Sequence, residues 1–153
     1  MSIQNILLID LFLIGLCIGS FLNVVIYRLP IKTPTLSLSL PKSHCPICKH
    51  QLSWYENIPV LSWCVLKGRC RQCKTSISIK YPIFELISGL LLLTPAILGG
   101  ISVLTVASGL AIITLLPYVY WIKQKTIFNT YMYKWGLIPI LTFIVTIIHY
   151  AKK

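Results

Sequence analysis

From residue 3 to residue 27 the chain carries a single charged side chain, Asp10. In hydrocarbon there is no water to satisfy backbone N–H and C=O groups, so a run of this kind closes its hydrogen bonds on itself as a helix. Three more apolar runs follow, over 82–99, 101–122 and 135–150, the last short for a bilayer span of about 20 residues. A soluble domain rarely carries 56% apolar residues and a mean hydropathy of +0.81. The expected fold is an all-α integral membrane protein of about four transmembrane helices. Residues 1–27 form the first helix, 28–81 a polar loop, and 82–153 the remaining three. No Lys or Arg precedes the first run and no small-x-small cleavage site follows it, so it reads as a retained helix, not a removed signal. Pro95, Pro117 and Pro139 predict kinks or helix-end adjustments.

Charge sets the expected orientation. The 28–81 segment holds nine of the fourteen basic residues: Arg28, Lys32, Lys42, Lys49, Lys67, Arg69, Arg71, Lys74 and Lys80. Lys123, Lys125 and Lys134 lie between the third and fourth runs. The positive-inside bias puts both basic segments in the cytoplasm and the N-terminus outside, leaving Lys152 and Lys153 outside against the rule. The basic loop is read as lying against anionic lipid headgroups, with no nucleic-acid partner.

Within the loop stand "CPIC" and "CRQC", Cys45, Cys48, Cys70 and Cys73, with 21 residues between the pairs. Two residues between thiolates let one tight turn present both to a tetrahedral ion, and paired knuckles at this separation are a ribbon-type zinc signature. A cytoplasmic loop disfavours the competing disulfides. A loop this small cannot bury much core, so a structural zinc is a sensible staple. Four ligands leave no open position for catalytic water, which makes the zinc scaffolding. His44 and His50 flank the first knuckle without being needed as ligands. Cys64 reads as a packed small hydrophobe. Pro46 and Gly68 suit the turns.

The spans also carry polar residues. Gly15 and Gly19 form a small-xxx-small face suited to a close helix neighbour. Asn23 and Glu85 each fall roughly 6–8 Å inside the cytoplasmic boundary at 1.5 Å of rise per residue. They are expected to face one another across a shared pocket, with Ser88 and Gly89 a turn deeper. An ionisable group at that depth is a functional candidate; the alternative is a structural Glu85 paired with Lys80 or Arg28. Asp10 reads as a snorkelling interfacial residue. Glu56, in "SWYENIPVLSW", either orients a substrate or lies at the membrane interface with Trp54 and Trp63.

"IGSFLNVVIYRLP", the two cysteine pairs, "ENIPVLSW" and "ISIKYPIFELISG" together resemble the N-terminal half of bacterial type IV prepilin peptidases, over about residues 15–92. The resemblance implies an inner-membrane, multi-pass protein with a cytoplasmic cysteine loop. It implies as partners membrane lipid and the N-terminal segment of a prepilin or pseudopilin. Members of that family cut a leader peptide and then methylate the new N-terminal amine with S-adenosylmethionine. The family's proteolytic aspartates include one in a GxGD motif; this sequence has no GxGD and no aspartate after Asp10. On the faint register of "YWIKQKTIFNTYMYKWGL", Trp121 stands at the first aspartate's place and Asn129 at a polar position. An indole cannot act as a general base, so an aspartic peptidase is not expected from this chain alone. The chain is expected to end before the later helices are complete, with a separate peptidase half as a possible partner.

For methyl transfer the resemblance points to the cysteine loop and to Gly89 of the ELxxG motif. Glu85, Gly89 and Asn23 are then the candidate catalytic residues, Glu85 accepting a proton or anchoring the amine, and Gly89 admitting a chain or cofactor. No Gly-rich nucleotide loop is present, so the adenosylmethionine site is not located. Three readings stay open: a split or reduced protein keeping the N-methyltransferase half, a non-catalytic zinc-loop adaptor of pilus or type II secretion assembly, and a truncated gene product.

Overall fold

In a computed structural model of the chain, residues 2–28 and 42–123 are described. Helix α1 spans Ile3–Arg28, a short α2 Leu61–Val65, α3 Lys80–Gly99 and α4 Val103–Lys123. A 3₁₀ turn covers Trp54–Asn57. Among the described residues there are no strands, only two isolated bridges inside the cysteine loop. The first three apolar runs are therefore helical within a few residues of their expected bounds, and the run at 135–150 lies outside the described residues, as do Pro139 and Asn129. The side chain of Trp121 is also outside them.

Among the described residues two helices, α1 and α3, are long and apolar enough to cross a membrane. Only 22% of the apolar window of α1 and 33% of that of α3 is buried within the chain. Ile6, Leu7, Ile9, Leu13, Ile14 and Phe21 of α1 face outward. An apolar surface that continuous needs an apolar surrounding. Asp10 is exposed near the N-terminal end of the same helix.

The inward face of α1 is narrow because its glycines meet α3 backbone to backbone. A Cβ on Gly15 would stand 2.7 Å from the Gly89 Cα, and one on Gly19 would stand 2.7 Å from the Ser88 Cβ and 2.9 Å from the Glu85 Cα. In lipid, where no hydrophobic effect drives helices together, such notches let dispersion act at short range. Leu22, Leu92 and Ile113 form the buried centre where α1, α3 and α4 converge.

Pro95 and Pro117 lie inside continuous helices, not at their ends. Pro95 has no N–H for the Leu91 carbonyl four residues back. Gly109 of α4 comes against that carbonyl, its would-be Cβ 3.0 Å from Leu91 O. Gly100, at φ +76°, ends α3 in a conformation L side chains rarely adopt. Ser102 then starts α4: its N–H meets Thr105 Oγ1 at 2.9 Å and its Oγ accepts from the Thr105 N–H at 3.3 Å, a reciprocal cap.

Because the atom opposite Gly15 is backbone, it cannot rotate away. Gly15→Ala is expected to destabilise the helix pair by ~1–3 kcal/mol, the usual penalty of overpacking, seen as a lowered unfolding midpoint in detergent. The same substitution at Gly100, whose Cβ would meet nothing within 4 Å, should carry only the cost of its positive φ.

Candidate metal centre and adjoining cavity

The cysteine loop is built from two copies of one knuckle, 25 residues apart. In the first, Cys45 N–H donates to His50 O (2.9 Å), Lys49 N–H to Cys45 O (3.0 Å) and Leu52 N–H to Ser43 O (2.8 Å). In the second, Cys70, Lys74 and Ile77 donate to Thr75, Cys70 and Gly68 at 2.8, 3.0 and 2.7 Å. The residue after each second cysteine turns the chain with positive φ, and in both it is a lysine: Lys49 and Lys74, each at φ 60°. A non-glycine residue held there costs about 1–3 kcal/mol and persists where its surroundings over-determine it.

The knuckles bring four sulfurs within 4.8 Å of one another. Cys45 Sγ lies 3.7 Å from Cys73 Sγ, and Cys48 Sγ 3.9 Å from Cys70 Sγ. A tetrahedral ion with Zn–S bonds of about 2.3 Å requires sulfurs about 3.8 Å apart, so these two separations fit such an ion. All four thiols are free. His44 and His50 stay outside the cluster: His44 Nδ1 is 3.1 Å from Lys42 O, and His50 bonds Glu56.

The thiols are poised unequally. Backbone N–H groups of Cys48 and Ile47 hold the Cys45 thiol below its ordinary value. The Thr75 hydroxyl and N–H hold Cys73 at about 6. At Cys48 the N–H of His50 acts in the same direction, but burial and the neighbouring sulfurs outweigh it and push that thiol up to about 11. Clustered thiolates need a cation to become the stable state, and the donor set suits a soft, borderline dication such as zinc.

Glu56 is buried inside the loop. It is 6% exposed and closes the 3₁₀ turn as a capping box with Ser53, whose N–H meets Glu56 Oε2 at 2.8 Å. His50 Nε2 lies 3.2 Å from the same oxygen. Burial would raise this carboxyl, but the Ser53 N–H and His50 together hold it below the usual range. Trp54, by contrast, is largely exposed, and Trp63 donates its indole N–H to Ile77 O at 3.0 Å with Gly68 packed against its ring. Cys64 is exposed, not packed: α2 is one turn long, and Leu61, Cys64 and Val65 lie on its outer side.

Between the loop and the loop-side ends of α1 and α3 lies a cavity of about 520 Å³, lined among others by Asn23, Tyr27, Glu56, Trp63, Tyr81 and Glu85. Its size is in the range of small-molecule sites, roughly 300–1,000 Å³. Asn23 and Glu85 thus share one pocket. Asn23 Nδ2 reaches Tyr81 O at 3.4 Å, while Glu85, 8% exposed, accepts the backbone N–H of Val60 at 2.7 Å. Among the described residues Glu85 makes no ion pair with Lys80. Gly89 lies a turn deeper, and its open side is filled by Phe12 and Leu16 of α1, 2.7 and 3.0 Å from a would-be Cβ. Glu56 was legible only as an aromatic-flanked acid; the S-x-x-E spacing of Ser53 and Glu56 was the available sign of a cap.

A family model described as the bacterial peptidase A24 N-terminal domain matches residues 13–98. The chain is 57% identical over 81 residues to a prepilin leader peptidase/N-methyltransferase of Myxococcus xanthus (strain DK1622), covering 53% of this chain and 23% of that protein. It is 48% identical over 91 residues to a type 4 prepilin-like proteins leader peptide-processing enzyme of Escherichia coli O78:H11, covering 50% and 34%. With a prepilin leader peptidase/N-methyltransferase of Klebsiella pneumoniae, identity is 43% over 114 residues, covering 67% and 50%. The chain thus spans from about a quarter to half of these relatives' length. No solved structure matches.

Binding a dication must displace the Cys48 proton at any pH below about 11 and the Cys73 proton below about 6. Zinc affinity should therefore weaken at least about tenfold per pH unit as pH falls from 8 to 6, and more steeply below 6. Chelator competition across that range checks this, and a slope near zero would contradict it.

Proposed function

This chain belongs to the bacterial peptidase A24 family through its N-terminal domain, and on that footing we propose that it retains the N-methyltransferase-associated part of prepilin processing. Its substrate is the N-terminal amine of a processed type IV pilin or pseudopilin. One observation carries the reading: every residue that lines the cavity, from Ser20 to Glu85, falls inside the matched stretch 13–98. The protein is proposed to lie in the inner membrane with about four spans, its N-terminus outside and its cysteine loop in the cytoplasm. Basic residues concentrated in that loop support the orientation.

Zinc, held by Cys45, Cys48, Cys70 and Cys73, is the structural ion of this reading. S-adenosylmethionine is the methyl source, and its sulfonium methyl would pass to the amine nitrogen while the C–S bond breaks. The chain's own contribution is to bind and align. A membrane-anchored substrate would bring its amine to the level of Asn23, whose side-chain amide lies on the cavity wall beside the aromatic Tyr27 and Tyr81. The amine's proton would leave to solvent. Glu85 and Gly89 support this site: Glu85 through its bond to the loop, Gly89 by letting α1 come close. Holding two reactants in line can supply most of such a rate.

The chain's sole aspartate is Asp10, at the opposite end of α1. A two-carboxylate peptidase mechanism thus lacks its residues in this sequence, and the proposal for these residues is confined to methyl transfer. A non-catalytic adaptor is the second reading, favoured by the closed side of Gly89, where Phe12 leaves no room for a ligand.

Purified protein in nanodiscs, given adenosylmethionine and a pre-cleaved pilin peptide, should methylate the peptide's N-terminus. Asn23→Ala should lower that turnover roughly 10–100-fold, the scale of a lost positioning contact. If calorimetry shows no adenosylmethionine binding and no methylated peptide forms, the adaptor reading replaces this one.

A further inference from the structure

The residue that joins the 3₁₀ turn to α2 is in an unusual conformation. Val60 has φ 62° and ψ −50°. Across it, Leu61 N–H donates to Pro59 O at 2.6 Å. That is a γ-turn of the positive-φ kind, which is rare and strained, and for a β-branched side chain positive φ is a genuine outlier. A tight turn of this type leaves the central N–H directed away from the turn's own carbonyls. Here that N–H is accepted, at 2.7 Å, by Glu85 Oε2 from the membrane helix α3.

The acceptor is itself held in place. The Glu85 backbone sits against Gly19, where a Cβ on α1 would approach its Cα to 2.9 Å, and Ser20 lines the same end of the cavity. On the loop side the turn is flanked by groups that form the cavity's roof. Glu56 precedes it, capped by Ser53 and His50. Ser62 and Trp63 follow it, with the Trp63 indole tied to Ile77 O.

We propose that Glu85 is a positioning residue: its carboxylate latches the strained Val60 turn and so seats the cysteine loop over the cavity. A buried carboxylate in a span is ordinarily read as a proton carrier or ion-pair partner. Here its partner is a backbone amide 25 residues away, in the polar loop, on the one residue whose conformation most needs an external hold. At 2.7 Å this N–H···O bond lies at the short end of the protein range. The latch requires an acceptor oxygen at position 85, not a titrating one.

Hydrogen exchange on the full chain, zinc-loaded and in nanodiscs, separates these roles. Glu85→Ala should speed exchange of the Val60 amide and of the following α2 amides roughly tenfold or more, the scale of one lost hydrogen bond. Glu85→Gln keeps a carbonyl oxygen in reach and should hold exchange within about threefold of the parent. Should Glu85→Ala not yield folded protein, Glu85→Gln still decides. Slow exchange in Glu85→Gln supports the latch. Fast exchange there, or parent-like exchange in Glu85→Ala, overturns it. Because the readout is exchange, the result stands apart from whether methyl transfer is found.

Discussion

The backbone contact between α1 and α3 is the constraint from which the other features follow. Gly15 and Gly19 allow two helices to approach until one helix's Cα positions touch the other's side chains and backbone. At that separation the Glu85 carboxylate is carried up beside Ser20, close enough to the loop to accept the Val60 N–H. Asn23, one turn further along the same face of α1, reaches the Tyr81 carbonyl. Move the helices apart by one methyl diameter, and the cavity between Asn23, Tyr81 and Glu85 loses its walls. In lipid there is little hydrophobic drive to restore them.

The cysteine loop meets this platform as a rigid object because its two knuckles brace each other. Each knuckle alone is a handful of residues with a strained lysine at its corner. Four sulfurs within 4.8 Å of one another convert the pair into one unit once an ion is bound, and the binding free energy of such an ion is folding free energy. Glu56 and His50 extend the brace from the first knuckle into the 3₁₀ turn. The chain of contacts then runs from metal cluster to capped turn, from turn to Val60, and from Val60 to the membrane helix.

Some of this was readable in the sequence because it rests on spacing. Two CxxC pairs imply a four-thiolate cluster whatever the intervening residues do. Apolar runs imply helices because lipid permits little else, and similar distances from the ends of their apolar runs placed Asn23 and Glu85 at one level. Other features depend on tertiary contacts that leave no local trace. Nothing about Val60 predicts positive φ; its propensity argues against it, and only a distant carboxylate makes the conformation tenable. Gly89 reads as an opening for a ligand until Phe12 is seen to occupy the space. Cys64 sits among apolar neighbours in sequence, yet the helix carrying it is too short to bury a second face. The run at 135–150 rests on composition alone.

The account's central claim is that the small residues of α1 and α3 serve helix approach, and through it the site. A double-mutant cycle of Gly89→Ala with Phe12→Ala, read by unfolding midpoints in detergent, tests this most directly. Phe12 is the nearest obstacle to a Cβ at position 89 and, unlike backbone, can be removed. The account predicts a coupling of ~1 kcal/mol or more, Gly89→Ala costing far less once the ring is gone. Strictly additive effects would mean that Gly89 is not held by that contact, and would contradict it.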